Sequence, residues 1–168
     1  DGQFAPWVGA LIQDVKQAIL LVLPEGREEE VVTRLSRVGF DNTLGYLKGG
    51  FNAWRNTGKE IDTIKSISAE VFKSEKETCP LPIFDVRKPG EYAGEHLEEA
   101  YNTPLDFINE HFSDFPRDQD FYIHCAGGYR SVIAASILKS RGIHNLIDIS
   151  SGFAGIKETG IPTTDFVC

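Results

Sequence analysis

Cys125 and Arg130 bracket four residues, Ala126, Gly127, Gly128 and Tyr129, and Ser131 follows directly. The apolar run Phe121-Tyr122-Ile123 leads into His124 and Cys125. A helical pattern with Ile133, Ala134, Ile137 and Leu138 on one face then runs to Gly142. A cysteine between a strand end and a helix start sits where loop amides converge and the helix dipole favours negative charge. The thiolate is the reactive form of cysteine, so the chemistry predicted is nucleophilic attack by sulfur. A lone buried cysteine is more often a small apolar residue. Here Gly127 and Gly128 allow close backbone approach and unusual dihedrals, which turns the balance toward a nucleophile.

Arg130 offers a planar cation to an oxyanion, or pairs with a carboxylate elsewhere. Tyr129 is expected to face outward at the mouth, and Ser131 to cap the helix or touch the sulfur. His124 points away from the loop if its strand alternates. Asp85 and Arg87 end another strand near this mouth, and a buried ion pair that fixes loops is the expectation for them. Glu91, Glu95 and His96 read as surface or loop-positioning residues. No metal site follows, because Glu95 and His96 lack a partner at ligand spacing, and no cofactor is expected. Cys79, beside Pro80, and Cys168, the last residue, read as peripheral.

The elements that position these groups alternate strand and helix, the pattern of an α/β fold with a central parallel sheet flanked by helices. Residues 63–168 form one module. It has strands at Leu81 to Val86, Phe121 to His124 and Leu146 to Ile149, and helices from Ala69 to Ser74 and from Pro104 to Phe112. Residues 1–62 hold a shorter series: a helix near Pro6, a strand at 19–23, and a helix at 28–38 with Val31, Val32, Leu35 and Val38 inward. A strand at 43–47 and a helix from Gly50 complete it.

The two series repeat. A shift of 103 sets Arg27 on Arg130, Leu35 on Leu138, Gly39 on Gly142 and Asn42 on Asn145. After a one-residue gap, Gly50-Phe51 falls on Gly152-Phe153. Val22, or Leu23 after a slip of one, takes the place of Cys125, so the first module reads as a truncated, chemically silent copy. Its sheet has an open edge, for which packing on the second module or a homodimer is predicted.

Seventeen basic against 25 acidic residues give a net charge of -8, which argues against nucleic acid and, more mildly, against an anionic membrane. No apolar run approaches the roughly 20 residues of a membrane span. Three widely spaced cysteines are neither a disulfide framework nor a zinc pattern, and a reducing cytoplasm is the compartment expected. With no methionine and an abrupt start, the chain reads as a fragment of a longer protein.

The second module resembles the rhodanese (thiosulfate sulfurtransferase) family along about residues 64 to 168. The resemblance rests on Asp85-Val86-Arg87, Glu91-Tyr92, Gly94-Glu95-His96-Leu97, Ala100 to Leu105, the Cys125 to Ser131 loop and Gly152-Phe153. The family's usual Gly-His-Ile-Pro-Gly-Ala is replaced here by Gly94-Glu95-His96-Leu97-Glu98-Glu99-Ala100. The resemblance implies a three-layer fold and a Cys125 persulfide held in the cradle from Cys125 to Arg130. It also implies partners that are small sulfur-containing anions or low-molecular-weight persulfides.

Related phosphatases on the same fold resemble a five-residue interval between cysteine and arginine; the four residues here favour sulfur. A sulfur-carrier and docking module is the alternative, with a phosphatase or arsenate-reductase-like enzyme behind it. Two modules with the first silent resemble bacterial fusions in which a metallo-β-lactamase-fold persulfide dioxygenase precedes them, which implies such a domain upstream.

Overall fold

In the computed structural model, which describes residues 4–165, the chain divides into two compact units with the boundary between Asp62 and Thr63. The first contains α1 (Phe4–Leu11), β1 (Ile19–Leu21), α2 (Glu28–Ser36), β2 (Thr43–Tyr46) and α3 (Gly50–Asn56). Glu28, Glu29 and Glu30 occupy the first turn of α2 and Arg34 the last, as the helix dipole favours. β1 and β2 pair in parallel, with Ile19 opposite Thr43.

The expected inner face of the 28–38 helix is corrected. Leu35 is buried, but Val32 and Val38 are 41% and 36% exposed. The helix stops at Ser36, Gly39 turns the chain at φ 89°, and Phe40 folds back, its N–H donating to the Leu35 carbonyl. Phe40 thus fills the place assigned to Val38, and a two-stranded sheet is too narrow to cover Val32 as well.

The second unit is built on β3 (Lys65–Ile67), β4 (Ile83–Asp85), β6 (Ala100–Asn102), β7 (Phe121–His124) and β8 (Leu146–Ile149). All pair in parallel, in the order β3-β8-β7-β4-β6. Helices α4 (Ala69–Thr78), α5 (Pro89–Gly94), α6 (Tyr129–Ser140) and α7 (Gly152–Glu158) connect them. The small antiparallel pair β5 (His96–Leu97) and β9 (Thr163–Thr164) stands apart from the main sheet.

Both faces of the sheet are buried, as parallel sheets require. Tyr122, Ile147 and Ile149 pack with Ala69 and Phe72 of α4 and Phe153 and Ile156 of α7. On the opposite face Phe84, Phe115 and Phe121 form an aromatic cluster, and α6 buries Ala134, Ala135 and Leu138. From β4 the chain crosses to β6 on one side, and from β7 to β8 on the other. Between β4 and β7 lies a topological switch point, where open parallel sheets bind ligands beyond their carboxyl ends.

The helix expected from Pro104 to Phe112 is absent. Two 3-10 turns, Leu105–Phe107 and Phe112–Asp114, replace it. The Thr103 and Leu105 N–H groups donate to the carbonyls of Asp85 and Val86, which straps this segment across the end of β4. Leu105 and Ile108, spaced by three, are then both buried by a single 3-10 turn.

Several local geometries recur in the two units. The Ile19 N–H donates to the Asn42 carbonyl as the Phe121 N–H does to Asn145, and Phe40 to Leu35 as Ile143 to Leu138. Gly39 and Gly142 share φ near 89° (89° and 88°), and Gly50 and Gly152 share φ near 60° (60° and 59°). A Cβ on Gly152 would lie 2.5 Å from the Cys125 carbonyl oxygen; on Gly50 it would lie 2.6 Å from that of Leu23. Leu23 thus stands to Gly50 as Cys125 stands to Gly152. No helix among the described residues is long and apolar enough to cross a membrane.

Candidate active site at the end of β7

β7 is buried at every residue and delivers Cys125, itself 1% exposed, to the carboxyl edge of the sheet beside the β4–β7 switch point. The Gly128 N–H donates to Cys125 Sγ at 3.2 Å. Gly128 is the N-cap of α6, at φ 90°, and its backbone packs against Ser150 so closely that a Cβ there would overlap the Ser150 carbonyl. Only glycine combines that dihedral with that approach.

The N-terminus of α7 orients the rest of the loop. The Phe153 N–H donates to the Cys125 carbonyl at 2.6 Å and the Ala154 N–H to the Ala126 carbonyl at 3.0 Å. In trans peptides the C=O and N–H point in opposite directions, so these bonds turn the Ala126 and Gly127 N–H groups away from the N-terminus of α7. Tyr129 is 68% exposed. Ser131 is buried and donates to the Gly128 carbonyl at 3.3 Å. That bond is neither of the roles expected for Ser131: the cap position belongs to Gly128, and the hydroxyl is committed to backbone.

Asp85 and Arg87 form a buried ion pair at 2.6 Å, with side chains 0% and 5% exposed. The Arg87 N–H also donates to the Asp85 carboxylate, and its guanidinium to the Glu95 carbonyl at 2.8 Å. The guanidinium carbon lies 3.9 Å from the Phe153 ring centroid. Arg87 thus ties the end of β4 to the helix that holds the Cys125 loop. Breaking a buried pair by removing one partner leaves an uncompensated charge. An Arg87→Met variant is therefore expected to lose about 3–5 kcal/mol of stability in urea unfolding, whereas a loss under about 1 kcal/mol would make the pair incidental.

His124 points into the α7 layer, stacked on Phe153 at 6.1 Å, with Nδ1 3.3 Å from the Cys125 carbonyl and 4.0 Å from Asp85. Burial pushes its imidazole down from its ordinary value, with Asp85 opposing. Its Nε2 has no hydrogen-bond partner.

Of the two readings of Arg130, pairing with a carboxylate is the one the structure shows, and the partner is Glu91. Both terminal nitrogens bind the Glu91 carboxylate, at 2.5 and 2.7 Å. Glu91 also accepts the Lys88 N–H at 3.1 Å, closing the first turn of α5. Arg130 holds the Glu91 carboxyl below the usual carboxylate range, and Glu91 raises Arg130 in return. Glu91 is thus a partner that positions Arg130. The signal for it was weak: a glutamate two residues after Pro89 in a Pro-led turn.

His96 is buried, stacked on Tyr92 at 3.7 Å, with Nδ1 2.8 Å from the Tyr92 carbonyl. No group of His, Cys, Asp and Glu side chains suited to a metal occurs among the described residues. Cys79 is exposed, and Cys168 lies outside the described residues.

A profile of the rhodanese-like domain matches residues 68–159. The chain is 30% identical over 106 residues to the putative sulfur carrier protein YrkF of Bacillus subtilis, covering 62% of this chain and 55% of that one. It is 29% identical over 103 residues to a sulfurtransferase of Allochromatium vinosum, covering 61% and 92%. A rhodanese-related protein from Thermoplasma volcanium superposes with a TM-score of 0.55 at 26% identity, covering 61% and 99%. The chain spans about half the length of its longer curated relatives. The profile takes in more than half of the residues, from the cap of α4 to the end of α7, and with them the Asp85–Arg87 pair, Glu91 and the entire Cys125 loop. On that match, joined to the parallel sheet that carries it, the chain belongs to the rhodanese-like domain family.

Proposed function

We propose that residues 63–168 act as a sulfurtransferase, moving sulfane sulfur from thiosulfate or a low-molecular-weight persulfide to a thiophilic acceptor through a persulfide on Cys125. The observation that carries this reading is Cys125 Sγ at the carboxyl edge of β7, 3.2 Å from the Gly128 N–H of its loop. The resemblance to a named sulfurtransferase and to a named putative sulfur carrier supports it.

In the first step the Cys125 thiolate attacks the terminal sulfur of the donor. A new sulfur–sulfur bond forms as the donor's own breaks, and its electron pair leaves with the departing thiolate or sulfite. An acceptor thiolate or cyanide then attacks the outer sulfur and releases the Cys125 thiolate. One sulfur atom moves at each step, and no external oxidant or reductant enters. The loop amides hold the sulfur anion throughout.

The four-residue interval and the crowded Gly128 turn favour a single sulfur over a phosphoryl group. Turnover of glutathione persulfide with cyanide, and no hydrolysis of an aryl phosphate, is the outcome expected; the reverse pattern would assign a phosphatase. A carrier role is the second reading, favoured by the burial of Cys125. It predicts stable loading with slow release to free acceptors.

For residues 1–62 we propose a truncated, silent copy of the same module. The recurring hydrogen bonds and the Gly50–Leu23 approach support this, with Leu23 in place of the nucleophile. Leu20 is 75% exposed, whereas Tyr122, its counterpart, is buried beneath α4. The open edge of its sheet supports completion of the unit by another surface, either the second module or a second copy in a homodimer, with a preceding metallo-β-lactamase-fold domain as a further partner.

A further inference from the structure

Among the described residues, cations on the elements around the Cys125 loop are paired with carboxylates. Arg130 holds Glu91 through both terminal nitrogens, Arg87 is closed onto Asp85, and Lys157 binds Glu95 at 2.5 Å. Lys88, mostly exposed, faces Asp106 at 3.8 Å. What the loop itself is seen to offer an incoming donor is the Gly128 N–H, which carries a partial charge only, on a chain whose net charge is -8.

Glu91 is not a casual surface partner. Its carboxylate is fixed by three donors, the Lys88 N–H and the two nitrogens of Arg130. The Arg130 side chain is only 14% exposed, which makes the pair stronger than a solvated one.

We infer that Glu91 is a specificity-determining residue, which neutralises Arg130 and so sets the cradle against a compact dianionic donor, thiosulfate, in favour of persulfides. This rests on the sulfur-transfer reading above. A persulfide carries at most one charge on its reacting sulfurs, with its other charges several bonds away, and loop amides suffice to hold it. Thiosulfate concentrates two charges beside the reacting bond and needs an uncommitted guanidinium. Glu91 acts through Arg130 and electrostatics, not as a group that touches the reacting atoms.

The test compares Glu91→Gln, Glu91→Asp and the unaltered protein with thiosulfate and with glutathione persulfide as donors and cyanide as acceptor. The glutamine keeps one acceptor for Arg130 but no charge. It is expected to raise kcat/KM for thiosulfate about tenfold, mainly through KM, and to change that for the persulfide less than about twofold. Glu91→Asp, which retains the charge, is expected to keep the original preference. The unaltered protein should favour the persulfide. That comparison needs no variant, so it holds even if Glu91→Gln folds poorly. Equal changes for both donors, or a fall with thiosulfate in a Glu91→Gln protein of unchanged melting temperature, would overturn the inference, as would an unaltered protein that prefers thiosulfate. Failure of the unaltered protein to take sulfur from either donor would instead overturn the sulfur-transfer reading itself, and the inference with it.

Discussion

Replacing Cys125 by serine is expected to lower sulfur transfer from any donor by about a thousandfold or more, because a serine hydroxyl in the same cradle is scarcely ionised and is a poor nucleophile toward sulfur. The effect should be confined to chemistry. Among the described residues Cys125 Sγ accepts from the Gly128 N–H, and the bond from the Phe153 N–H to the Cys125 carbonyl survives the change. The variant should therefore unfold within about 1 kcal/mol of the unaltered protein. Steady-state turnover and urea unfolding on the same preparation check both halves. Persistence of more than about a tenth of the activity would move the chemistry to another residue.

Gly128→Ala is expected to have the second large effect, and on both properties at once. Its φ of 90° disfavours any L residue by about 1–2 kcal/mol. The added methyl also meets the Ser150 carbonyl, which is backbone and cannot rotate aside. Relief requires moving Gly128 away from β8, and with it the N–H that faces Cys125 Sγ. A loss of about 3 kcal/mol or more in stability and of about a hundredfold in activity follows. Gly127→Ala is the control: open space surrounds that position, and its stability should change by under about 1 kcal/mol. Equal behaviour of the two variants would mean that the close approach to Ser150 does not hold the loop.

Much of this site was legible in residue order because its parts are local. A strand run, a cysteine, two glycines and a helical pattern lie within about twenty consecutive positions, and such a sequence can scarcely fold except as strand, loop and helix. The Asp85–Arg87 pair was legible for the same reason, since its partners stand two positions apart. The Glu91–Arg130 pair spans 39 positions, and it exists only because α5 and α6 both start at the carboxyl edge of the sheet. No periodicity encodes that.

The segment 104–112 misled for a different physical reason. Leu105 and Ile108 fit a helix face, but their spacing of three suits a 3-10 turn equally, and the strap onto Asp85 and Val86 decides between them. On the proposal that the first unit is a copy of the second, residue order leaves both Val22 and Leu23 open for the place of Cys125. The approach of Gly50 to the Leu23 carbonyl distinguishes them, a backbone contact that residue identities do not carry.

Intact-mass measurement of the unaltered and Cys125→Ser proteins after glutathione persulfide, before and after cyanide, tests the central claim most directly. The unaltered protein should gain the mass of one sulfur atom and lose it to cyanide, while Cys125→Ser gains none. A gain of the same size on Cys125→Ser, or an unaltered protein that remains at its starting mass, would contradict a Cys125 persulfide.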